Sequence, residues 1–139
     1  MEVAMIGPAK IVVRHADGTI LKGYSQDFSP TAQQFHVCHK AVGGSDPGQR
    51  VMMRDLKAIF FVRDFNGNSD YEEQKRFVAD TPLSGRKMEV TFTDGEVLVG
   101  TTTGYDAQRP GFFLFPVDGR SNNMRIFIVQ VAVKKVKFI

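Results

Sequence analysis

The residue types best suited to chemistry gather in two places. His36, Cys38 and His39 bring metal-ligand types close together. On a strand, His36 and Cys38 share one face and His39 points the other way. That leaves too few ligands on one face to close a tetrahedral zinc site. Cys38 is the one cysteine, which excludes an intrachain disulfide and a multi-cysteine zinc site. We therefore assign neither metal nor cofactor. The second gathering is polar. Arg109-Pro110-Gly111 and the segment from Asp118 to Arg125 flank a phenylalanine-rich stretch. Arg109, Arg120, Asn122, Asn123 and Arg125 are expected to converge on a small anion, a nucleotide or a partner's acidic segment, since guanidinium groups bind carboxylate and phosphate in a fixed fork. The Pro, Gly, Asn and Ser among them are equally what turns require.

Nothing else in the chain reads as a catalytic constellation. Asp17 and Asp94 each precede a glycine in a turn pattern, where aspartate stabilises the turn itself. Asp46 and Asp118 fall in loops. Gly43-Gly44-Ser45-Asp46-Pro47-Gly48 lacks the lysine of a phosphate-cradling P-loop. The expectation is a non-catalytic protein.

The elements that must carry these residues are strands, and they recur. Lys10 to Val62 aligns without a gap on Lys87 to Ile139, an offset of 77 residues. Nine positions are identical: Lys10, Val13, Asp17, Gly18, Leu21, Gly23, Phe35, Lys57 and Phe61, each with its counterpart. The matches fall on turn glycines and alternating apolar sites. Met88, Val90 and Phe92 alternate with Glu89 and Thr91, the period of a half-buried strand. Asp94-Gly95 predicts a type I′ hairpin turn, and Gly100 a bulge or bend. Further strands are expected at Gln34 to His39 and Phe112 to Phe115, at Arg50 to Met53 and Arg125 to Val131, and at Ala58 to Val62 and Lys135 to Ile139.

The predicted fold is mainly all-β: two tandem small antiparallel barrels related by the repeat. Residues 1–62 form the first with an N-terminal extension, and residues 87–139 the second. Residues 63–86 link them. There Ser69 and Glu72 match a capping box, predicting a short helix from Asp70 to Val78. A barrel of this size is marginal alone. The aromatics address that shortage, with twelve Phe against three Tyr and no Trp. Phe112 and Leu114 would fill the second barrel. Phe113 and Phe115 would point outward and form an interface, either between the barrels or in a homodimer.

Composition narrows the setting. With 42% hydrophobic and 24% charged residues, the chain is globular rather than disordered. No apolar run approaches a membrane span, and the first ten residues lack a secretory pattern, so a cytoplasmic location is expected and no membrane partner. The net charge of +3 divides into +2, −1 and +2 over residues 1–62, 63–86 and 87–139. It is too thinly spread for a basic arm.

Three families bear on this reading. Lys87 to Gly100, followed by Tyr105, resembles the first motif of Sm-like barrels, which bind RNA in rings. Their late basic-Gly pair is replaced here by Val131-Ala132-Val133-Lys134. The resemblance implies an Sm/SH3-like barrel, with nucleic-acid binding as the alternative function. PilZ sensors of cyclic dinucleotides pair an Arg-x-x-x-Arg segment with Asp/Asn-x-Ser-x-x-Gly. Here Lys10 stands for the first Arg and Ala32 for the Gly. Most of the chain is similar to an uncharacterised bacterial family. The likeness rests on Val97 to Tyr105, Arg109 to Pro116, Ser121 to Arg125 and Asp55 to Phe65. The combined expectation is a binding or regulatory module that recognises a protein partner or small anion through loops of the second barrel.

Overall fold

A computed structural model describes residues 9–39, 48–65, 85–118 and 121–139. Arg120 and the predicted helix from Asp70 to Val78 lie outside the described residues. The strands of the first half are β1 (Ala9–His15), β2 (Ile20–Ser25), β3 (Gln34–Val37), β4 (Gln49–Met52) and β5 (Leu56–Val62). Those of the second are β6 (Arg86–Phe92), β7 (Val97–Thr102), β8 (Gly111–Pro116), β9 (Asn123–Val129) and β10 (Val133–Phe138). One turn of 3-10 helix precedes the last strand of each half, at Met53–Asp55 and Gln130–Ala132.

The described residues are mainly strand. The expected pair of separate barrels is corrected to a single eight-stranded sheet, ordered β10-β6-β7-β8-β9-β5-β1-β2, with β3 and β4 paired as a second, two-stranded sheet. Tyr24 and Cys38 add one bridge from β2 toward β3. The physical cause of the continuity is β5. Leu56-Lys57-Ala58-Ile59-Phe60-Phe61-Val62 is apolar on both faces apart from Lys57, and all seven residues are buried. A strand apolar on both faces needs cover on both sides. β5 pairs antiparallel with β1 on one edge and β9 on the other, and its two faces are covered by two different cores.

Two cores result, and each draws on both halves. Ile11, Val13, Phe35, Val37 and Leu56 surround Phe127 and Val129 of β9. Met88, Val90, Phe92, Phe112 and Leu114 surround Ala58, Phe60 and Val62 of β5. The alternation of side chains along a strand sends adjacent residues of β5 and β9 to opposite cores.

Local details recur at the same spacing as the sequence matches. Gly18 and Gly95 both have φ of 94°. Gly18 N–H donates to His15 O and Gly95 N–H to Phe92 O, both at 3.0 Å. No described non-glycine residue has positive φ. The expected type I′ turn, which needs two such residues, is thus replaced by a turn with positive φ at the glycine alone. Gly100 marks a close approach of strands: a Cβ there would overlap the Phe115 carbonyl oxygen. Gly23 stands in the same relation to the Cys38 carbonyl.

Candidate functional site

The four predicted polar residues that are described, Arg109, Asn122, Asn123 and Arg125, have different local surroundings. Arg109 is exposed, with its Nε 3.5 Å from Asp106 Oδ2. Asn122 braces the chain instead of facing a ligand. Its Nδ2 donates to the Asp64 carbonyl at 2.8 Å, and its Oδ1 accepts from the Asp64 N–H at 2.9 Å. Arg63 reinforces this link by donating from Nε to the Ser121 carbonyl at 3.1 Å. Asn123 is half-buried and lines a cleft of about 210 Å³ together with Arg14, Phe60 and Glu96.

Arg125 occupies a third environment. Its guanidinium lies 4.4 Å from the ring centroid of Phe61 and 4.5 Å from that of Phe113. Cation–π attraction to both rings holds the guanidinium there. Phe113 belongs to the aromatic cluster of the first core, 5.1 Å from Phe127 and 5.9 Å from Phe61 between ring centroids. Phe28 reaches the same cluster, 5.3 Å from Phe61 and 5.2 Å from Phe127. Phe115 is exposed, so the expected Phe113/Phe115 face is divided between interior and surface.

Sequence reading passed over the main charged cluster at the seam. Lys57 is buried on β5 and donates to Asp94 Oδ2 at 2.7 Å and to Glu96 Oε1. It also lies 4.7 Å from the Phe92 ring centroid. Arg14 Nη1 joins Glu96 Oε1 at 3.4 Å. Burial works against the Lys57 ammonium, but the hydrogen bonds to Asp94 and Glu96 prevail and raise its pKa. The hydrogen bond from Lys57 lowers the pKa of Asp94. The identity of Lys57 with Lys134, and of Asp94 with Asp17, was the one signal in the sequence. Lys57 and Arg14 of the first half are each met by carboxylates of the second, so the cluster serves as a clasp between the halves.

The imidazole of His36 is likewise committed locally. His36 Nδ1 lies 2.7 Å from Asp27 Oδ2, and its backbone N–H donates to Asp27 Oδ1 at 2.9 Å. Burial raises the Asp27 pKa, and these hydrogen bonds outweigh it to give a lowered value. Among the described residues no group of three or more His, Cys, Asp or Glu side chains could hold a metal. No described helix is long and apolar enough to cross a membrane.

One concave surface is chiefly apolar. A groove of about 320 Å³ lies between the halves, lined by Met52, Met53 and Arg54 on one side and Pro110, Val129 and Val131 on the other. Val131 is 68% exposed, a large apolar side chain presented to solvent. Pro110 carries the Arg109-Pro110-Gly111 loop to its rim, and its carbonyl accepts the Gln130 N–H at 2.8 Å.

Comparison with known proteins finds no matching curated protein and no matching solved structure. A family model does match, over residues 7–139, nearly the whole chain. The chain therefore belongs to DUF6982, a family of unknown function.

Proposed function

We propose that this protein is a non-catalytic binding module of a bacterial cytoplasmic protein. It consists of two five-stranded, Sm/SH3-like units fused along β5 and β9. Its ligand in this reading is a protein partner, received in the apolar groove between Met52 and Val131. The observation that carries the reading is the exposure of Val131 beside Met52, Pro110 and Val129 in a concave apolar surface. Such grooves accept a protruding apolar side chain, and Arg54 at the rim suits an acidic neighbour of that side chain.

The charged residues argue less for a small anion or RNA. Arg109 faces Asp106, and Arg125 lies over the rings of Phe61 and Phe113. Nucleic-acid binding remains the alternative, and salt distinguishes the two. Affinity capture from cells with wild-type protein and the Met52→Asp/Val131→Asp variant tests the proposal. The expected result is a discrete complex that survives moderate salt and is lost in the variant. Binding of an RNA oligonucleotide with steep salt dependence, unaffected by the variant, would replace it with the alternative.

A further inference from the structure

The fifth strands of the two halves meet different surroundings. β5 lies between β1 and β9. β10 pairs with β6 and ends the sheet order, so its outer edge is unpaired among the described residues. Both strands begin with a register irregularity, at Lys57 in β5 and at Lys134 in β10. The seam shows what this outer edge accepts: an antiparallel strand, with Ala58, Ile59 and Phe60 opposite Ile128, Phe127 and Ile126.

At the corresponding places β10 carries Lys135, Val136 and Lys137. Lys135 and Lys137 are exposed, and Val136 is half-buried. On the inner side Lys135 faces Thr91 and Lys137 faces Glu89. Lys134 is exposed at the irregularity and makes no ion pair with a described residue, whereas its counterpart Lys57 binds two carboxylates. The edge is therefore basic, with an apolar residue at its centre.

A second copy of this chain is a poor occupant. The strand that would repeat the seam is β4, the counterpart of β9, with Gln49, Arg50 and Val51 at the facing positions. It offers no carboxylate and adds a cation. Only Asp17, beyond the strand, would answer Lys134. Lysines on an exposed edge repel a strand of like charge.

We propose that the outer edge of β10 receives an antiparallel strand from an acidic protein partner. The strand carries carboxylates at two alternate positions, beside Lys135 and Lys137, and an apolar residue between them beside Val136. Main-chain hydrogen bonds supply sequence-independent affinity, and the alternating side chains supply selectivity. This site is separate from the apolar groove and does not depend on it.

The test uses a fluorescein-labelled octapeptide alternating glutamate and valine, titrated into the full chain and followed by anisotropy. Controls are an alternating lysine–valine peptide and a scrambled peptide with its glutamates consecutive. The expected result is binding of the acidic peptide at least tenfold tighter than either control. New amide protection in hydrogen exchange should be confined to Lys134 to Phe138. Lys135→Glu/Lys137→Glu should reverse the preference toward the lysine peptide by at least tenfold, with an unchanged melting curve because both side chains are exposed. Equal binding of the scrambled peptide, protection elsewhere, or no binding overturns the proposal. So does a protein that dimerises without peptide while protecting β10, since a second copy would then be the occupant.

Discussion

Lys57 on β5 and Asp94 in the β6–β7 turn are joined at 2.7 Å, while Lys134 and Asp17, their counterparts 77 residues away, are both exposed. The same residue types thus serve in one place as a clasp and in the other as solvated charges. Lys57→Met retains much of the aliphatic bulk and removes the cation. It should cost about 1–3 kcal/mol, because hydrogen bonds to charged groups are lost while the carboxylates can return to water. Lys134→Met should leave stability nearly unchanged. Urea denaturation of both variants measures the contrast.

The same clasp sets a pH dependence at both extremes. Asp94 has a lowered pKa, so its contribution is complete above the ordinary carboxylate range near pH 4 and is lost as the pH falls through its folded value. Lys57 has a raised pKa, so its contribution is complete below about pH 10 and is lost as the pH rises through its folded value. In Lys57→Met the alkaline loss should shrink and the acid loss should become shallower. Melting temperatures between pH 2 and 12 check both limbs.

Phe113 and Phe115 are neighbours with opposite expected behaviour. Phe113 joins Phe28, Phe61 and Phe127 in the first core. Phe113→Asp places a carboxylate among these rings and should lower the melting temperature sharply, with a cost above about 3 kcal/mol. Phe115→Asp, at an exposed position, should shift it little. An unchanged melt for Phe113→Asp would contradict the packing described above.

Asn122 and Arg125 should behave as structural residues. Asn122→Ala removes two hydrogen bonds to the Asp64 backbone and should cost about 1–2 kcal/mol. Faster hydrogen exchange at the Asp64 amide would locate the loss. Arg125→Ala removes the cation between Phe61 and Phe113, at a cost of about 1 kcal/mol in a thermal or urea melt.

Much of this fold was legible because strand signals are local. Alternation at Met88, Val90 and Phe92 places three residues in a core, and Asp94-Gly95 does mark a turn. Some local details recur at the 77-residue offset, with Ala16 N–H to Asp55 O at 2.9 Å and Thr93 N–H to Ala132 O at 2.8 Å. What could not be read was the union of the halves. An apolar run such as Ala58 to Val62 says that both faces need cover but not which strand provides it. The polar loops were ambiguous for a similar reason. Asparagine and arginine near turns suit ligands and loop bracing alike, and only the positions of Asp64, Phe61 and Phe113 decide between them.

The sharing of β5 and β9 between cores also governs when this chain can fold. The first core contains Phe127 and Val129, so it stays incomplete until residues near the end of the described chain have been synthesised. The second core needs Ala58, Phe60 and Val62 from a strand made much earlier. Neither half can close and then wait for the other. Nascent β5, apolar on both faces, must therefore be kept from other chains until β9 arrives. The strand that unites the finished protein is its greatest aggregation hazard during synthesis.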